Sequence, residues 1–156
     1  MEDNSICIYF QPIISIRSAK VIGLEALMRA FDENHEPLSP IFVFDQANKE
    51  NLSFELDKYV RIKALETFKP ILEANKELLL FLNFESHLLD TSISFHDFAF
   101  CALANDLGIP PSHIVIEIKE YQIQNSDRLK QFCDFYKERG FLIALDDFGA
   151  GNANFD

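Results

Sequence analysis

Four short apolar stretches in this chain each stop at an acidic or amide side chain: residues 21–24 at Glu25, 78–82 at Asn83, 114–116 at Glu117, and 141–145 at the adjacent Asp146 and Asp147. Stretches of that length, separated by longer amphipathic segments, read as strands of a parallel sheet. In an α/β barrel the C-terminal ends of the strands share one rim, so donors far apart in sequence can surround one point. Hard divalent cations favour such all-oxygen surroundings. The repetition points to a metal site on the rim of an α/β fold.

Composition narrows the chemistry. The 156 residues, 48% hydrophobic with 16 Phe, suffice for one core. A net charge of -11, with only 14 scattered Lys and Arg, argues against a DNA or RNA polymer as partner, because neutralising phosphates needs clustered cations. An anionic substrate would then need a metal ion. Cys7, Cys101 and Cys133 form neither a CxxC nor a Cys/His ligand spacing, which points to reduced thiols and a cytoplasmic setting. No basic segment followed by an apolar one opens the sequence, and the longest uncharged apolar run, residues 98–104, is too short to cross a bilayer.

Residues 6–16 and 20–29 predict two extended segments joined by a polar turn at Arg17, Ser18 and Ala19, a hairpin opening the domain. An acid- and proline-containing loop over 32–40 leads into helices over 40–49 and 54–72, the second with Leu56, Tyr59, Val60, Lys63 and Ala64 at helical spacing. Beyond it, strands over 77–83, 113–119 and 141–146 alternate with helices over 95–107 and 127–139, which stop at Gly108 and Gly140. Such βαβα order implies parallel strands joined by helical crossovers.

Several assignments admit two readings. Over 23–31, propensity alone favours a helix with Leu24, Leu27, Met28 and Phe31 on one face and Glu25 paired with Arg29. As a strand, the same residues put Gly23, Glu25, Leu27 and Arg29 on one side, aiming an acid and a base at one site. Asn83 reads either as a helix cap or turn former, or as a site residue. Glu117 interrupts Ile114, Val115, Ile116 and Ile118; buried there, its carboxylate needs a lysine partner or a metal. Asp146 and Asp147 form either an ordinary turn or a charge pair that a cation joins.

Further residues stand in a recognisable order around these. Gln11, Pro12 and Ile13 lie near the start, EALMR runs from Glu25 to Arg29, and Ser39, Pro40, Val43 and Phe44 precede or enter a helix. Leu56 and Asp57 follow in the next helix, then Asn83, IPPSHIVIEIKE over 109–120, and LDDFGAG over 145–151. In this order and spacing the chain resembles the EAL domain family, bacterial phosphodiesterases that linearise cyclic di-GMP, over nearly its whole length. The resemblance implies an EAL-type modified TIM (β/α)8 barrel. It also implies that Glu25, Asn83, Glu117 and Asp146 ligate one divalent metal, that Asp147 reaches a second, and that catalysis depends on Glu25. Arg29 matches the arginine that contacts the substrate phosphate, and Gln11 falls in the segment bordering the nucleotide pocket. The implied reaction is hydrolysis of cyclic di-GMP to linear pGpG with Mg²⁺ or Mn²⁺, ions suited to oxygen ligands and able to activate water.

The chain departs from the family pattern at Lys119, where a small hydroxyl residue is usual, at Ala150, where Thr or Ser is common, and at Asn152, Ala153 and Asn154. A complete (β/α)8 barrel needs about 250 residues. The 156 residues here are accordingly expected to be an EAL domain cut before the later strands, which would carry a lysine near the nucleophilic water and further acids. Little turnover is expected from such a chain alone. An open sheet edge would favour strand exchange into a homodimer. The alternative reading is a nonenzymatic EAL domain that binds cyclic di-GMP or a protein partner.

Overall fold

A computed structural model describes residues 5–84, 98–119 and 126–146. The chain opens as a hairpin, β1 (Ile6–Ser15) pairing antiparallel with β2 (Lys20–Phe31). Its turn is closed by the Ala19 N–H, which donates to the Ser15 carbonyl at 2.8 Å. Ile13 pairs with Gly23 but Ile14 with Val21, so Ile22 is the extra residue of a bulge. A two-residue β3 (Pro37–Leu38) pairs with the end of β2. Pro40 then starts α1 (Pro40–Lys49), where its missing N–H would have had no helical partner.

The rest alternates helix and strand: α2 (Ser53–Ala74), β4 (Leu79–Phe84), α3 (Phe98–Asp106), a 3-10 turn at Pro111–His113, β5 (Ile114–Lys119), α4 (Ser126–Lys137) and β6 (Leu142–Asp146). The sheet runs β1-β2-β4-β5-β6, with β2, β4, β5 and β6 parallel, as the βαβα order predicts. Gly108 and Gly140 end the helices before β5 and β6 at φ +70° and +86°. Past each, a backbone N–H folds back on the helix, Ile109 to Ala104 and Phe141 to Tyr136. Among the described residues no helix is long and apolar enough to cross a membrane.

The segment over 23–31 is strand, not the helix that propensity favours. Burial decides it: Ala26, Met28 and Ala30 sit in the core on one side, while β1 and β4 take up hydrogen bonds on both edges. Gly23 is required by contact. A Cβ there would lie 2.5 Å from Phe81 Cε2 and 2.8 Å from the Leu79 carbonyl oxygen, so glycine lets the Phe81 ring cross β2 beside Glu25.

The core lies between the sheet and the helices. Leu80, Leu82, Ile114, Ile116 and Ile118 from β4 and β5 meet Leu65 and Phe68 of α2 and Phe132 and Tyr136 of α4. Of the residues at helical spacing in α2, Ala64 is buried and Val60 packs against the core. The buried face of α2 is Asp57, Arg61, Ala64, Leu65, Phe68 and Leu72, while Tyr59 is exposed. A charged pair one turn apart neutralises itself, which hides the inner face from any count of apolar residues.

Candidate functional site at the strand rim

Pairing between β2 and β4 runs only from Gly23 with Leu79 to Ala26 with Leu82. Above it β2 stays paired with β1 up to Ala30, while β4 continues beside β5, so the two parallel strands part. A cavity of about 580 Å³ opens there, backed by α1 and α2. Glu25, Arg29, Asn83 and Asp146 reach it from the strands, and Asp57 and Arg61 from α2.

Donors step across the rim from strand to strand. Asn83 Nδ2 donates to Glu25 Oε1 at 2.8 Å, joining residues 58 positions apart. Asn83 stands in register with Glu117, and Glu117 with Ala144, two residues before Asp146 at the end of β6. Asn83 is therefore a strand residue with a specific acidic partner, not a helix cap. Glu25 and Glu117 do not end their strands, which run on to Phe31 and Lys119. The turning point the sequence marks at Glu25 is the loss of the β4 partner.

Glu117 is electrostatically the most burdened group of the rim. Its Oε2 is buried and accepts no hydrogen bond from any described residue. Desolvation first, and then the charges of Glu25 and Asp146, push its carboxyl up from an ordinary 4.5 to about 7. The three acids thus share one electrostatic neighbourhood.

The remaining sequence candidates fall differently. Arg29 lines the cavity; its Nη1 donates to the Met28 carbonyl at 2.8 Å, and its Cζ lies 5.7 Å from the Tyr9 ring centroid. Gln11 lies across from Glu25 on β1 but is exposed and does not line the cavity. Asp147, Ala150 and residues 152–154 fall outside the described residues. Asp57, one of the residues that carry the resemblance, and Arg61, which sequence reasoning missed, also line the cavity; the only signal for Arg61 was its i,i+4 spacing from Asp57 on α2.

The donor chemistry fits a hard divalent cation: carboxylates and an amide oxygen, with a buried oxygen of Glu117 unsatisfied and like charges raising its affinity for positive charge. Among the described residues, however, no three His, Cys, Asp or Glu side chains stand close enough together to form a closed cage. The acids converge on one rim without yet gripping a common point.

Parallel strands joined by helices, an antiparallel hairpin at one edge and a rim of oxygen donors define a TIM-like α/β protein with its site at the C-terminal ends of the strands. More narrowly, the chain belongs to the EAL domain family, whose model matches residues 1–156. It is 31% identical over 153 residues to the EAL-domain protein YkuI of Bacillus subtilis, covering 95% of this chain and 36% of that protein. A solved YkuI structure, in complex with substrate c-di-GMP and calcium, aligns over 94% of this chain and 36% of that one with a TM-score of 0.74 and 30% identity. The cyclic di-GMP phosphodiesterase PdeA of Borreliella burgdorferi is 28% identical over 155 residues, covering 99% of this chain and 23% of that protein. The c-di-GMP complex of the phosphodiesterase PaMucR shares the fold, with a TM-score of 0.84 at 22% identity over 96% of this chain and 61% of that one. The chain spans about a third or less of the length of these curated relatives.

Proposed function

We propose that this chain carries the metal-binding rim of a cyclic di-GMP phosphodiesterase that hydrolyses c-di-GMP to linear pGpG in bacterial second-messenger signalling. The observation that supports it most is the convergence of Glu25, Asn83, Glu117 and Asp146, with Asn83 bonded to Glu25 and a buried oxygen of Glu117 unsatisfied. Relatives named for the same activity, and one solved with substrate and calcium, give the site its chemical direction.

In this reading Glu25, Asn83, Glu117 and Asp146 hold one ion, Mg²⁺ or Mn²⁺, and Asp147 reaches a second. Bound there, such ions supply Lewis acidity toward the phosphodiester and make hydroxide available near neutral pH. The chain's own residues do the rest. Asn83 holds Glu25 in place, so catalysis depends on Glu25 as an oriented carboxylate. Glu117 releases its proton as positive charge arrives, because the shift that raises its pKa is reversed. Arg29 offers a guanidinium to a substrate phosphate, and Gln11 borders the nucleotide from β1.

The same reading takes residues 1–156 as part of an EAL domain. It sets the protein in the bacterial cytoplasm and allows a homodimer. A second reading, a nonenzymatic domain that binds c-di-GMP or a protein partner, is favoured by the departures from the family pattern at Ala150, Asn152, Ala153 and Asn154. Chromatography of c-di-GMP incubated with the chain and Mn²⁺, beside the Glu25→Ala variant, separates the two. Linear pGpG from the parent and none from the variant supports the enzyme; a folded parent that binds the nucleotide without product supports the binder.

A further inference from the structure

Among the described residues, Asp57 and Arg61 are the only buried charged side chains, 3% and 2% exposed. Arg61 Nε and Nη2 both lie 2.9 Å from Asp57 Oδ2. Replacing such a pair by apolar residues of similar volume is commonly neutral or stabilising, so stability alone is a weak reason for one in a Phe-rich core. Its position suggests another. The Arg61 guanidinium lies 5.6 Å from the ring centroid of Phe84 and 5.0 Å from that of Phe100, both buried. Phe84 directly follows Asn83 on β4, and strand alternation turns the ring toward the helices and the Asn83 amide toward Glu25. At this point β4 has already lost β2, whose last pair with it is Ala26 with Leu82. The end of β4 is held by β5 on one side and, from behind, by Arg61 of α2 and by the Phe132 ring of α4, 4.5 Å from that of Phe84.

We infer that the Asp57–Arg61 pair is a positioning device: by clamping Phe84 against α2 it fixes the end of β4 so that Asn83 meets Glu25, and this sets the affinity of the rim for its nucleotide. The inference rests on the phosphodiesterase site proposed above and assigns these two residues a part in it. Asp57 fixes the guanidinium through its fork, and the guanidinium fixes the ring.

The test uses the full chain with two readouts. One is the dissociation constant for c-di-GMP in Ca²⁺ by calorimetry. The other is the pair of side-chain amide resonances of Asn83 in an NMR spectrum, assigned by their loss in Asn83→Ser. The variant carries Asp57→Leu and Arg61→Met together, so that neither charge of the pair is left without the other. Expected are circular dichroism and a melting temperature like those of the parent, shifted Asn83 resonances, and at least tenfold weaker nucleotide binding. Unmoved resonances with unchanged affinity would make the pair purely structural and sink the inference. Weaker binding with unmoved Asn83 resonances also overturns it, because the pair would then touch the nucleotide itself. Moved resonances with unchanged affinity overturn the link from position to binding. A parent that does not bind c-di-GMP sinks the functional reading instead, and the Asn83 resonances alone then decide the positioning role. Should the double variant unfold, Arg61→Lys keeps the charge without the fork and is read in the same two ways.

Discussion

At their C-terminal ends, β4 and β5 turn opposite chemistry to their two sides. Toward the helices, Leu80, Leu82, Phe84, Ile114, Ile116 and Ile118 are buried and purely apolar. Toward the rim, Asn83 and Glu117 share register, and Glu117 is held near neutrality by burial and by two other acids. The helix side is what folding needs, because removing apolar area from water drives it. The rim side works against folding, and a chain selected for stability alone would not gather three acids at one place. Such a contrast within single strands marks where function has been built onto the fold.

The largest effects test the helix side against the rim. Leu80→Ala or Ile116→Ala should lower unfolding free energy by about 2–5 kcal/mol, read from urea denaturation. Glu25→Ala and Asp146→Ala should keep the parent's circular dichroism while abolishing metal-dependent binding or cleavage. If those rim variants unfold as the core variants do, the contrast fails and the acids are structural.

Gly23→Ala stands between the two sides. Its methyl group would meet the Phe81 ring and the Leu79 carbonyl, so a loss of about 1–3 kcal/mol is expected. A neutral outcome in denaturant titration would mean that Phe81 moves freely beside Glu25.

Glu117→Gln should do the opposite and stabilise the apo protein. With the folded carboxyl at about 7 against an ordinary 4.5, the native state holds the proton more tightly than the unfolded chain. Stability therefore falls as pH rises from about 4.5 to about 7, and the full penalty is present above that window. A shift of this size is worth at most about 3 kcal/mol, and solvent screening of the half-buried group brings it to about 1–2 kcal/mol. Parent and variant should thus melt together below pH 4.5 and diverge above pH 7, with Gln the more stable. Added Mn²⁺ should narrow or reverse that difference, and a difference independent of pH would refute the electrostatic account. At the small end, Ile16→Ser at a fully exposed turn position should change stability by less than about 0.5 kcal/mol.

Much of this contrast was legible before any coordinates. The apolar stretches before Asn83, Glu117 and Asp146 mark real parallel strands, and the rim acids fall where the stretches stop. The inner face of α2 was not legible, because no apolar periodicity marks Asp57 and Arg61 as buried; their mutual pairing and the rings of Phe84 and Phe100 do. Gln11 illustrates the converse: its register opposite Glu25 follows from the hairpin, but its exclusion from the cavity depends on how the strands splay.

By itself the sequence determined what is local: the polar turn over 17–19, the helix stops at Gly108 and Gly140, the later alternation of helix and strand, and the motif residues that identify the family. These follow from turn chemistry, periodicity and capping, which act over a few residues. Only the tertiary structure decided that residues 23–31 are strand, that α2 buries a charged pair, that Asn83 bonds Glu25 and that Glu117 is pushed toward neutrality. Each of those depends on partners many residues away, whose burial and charge outweigh the local preference.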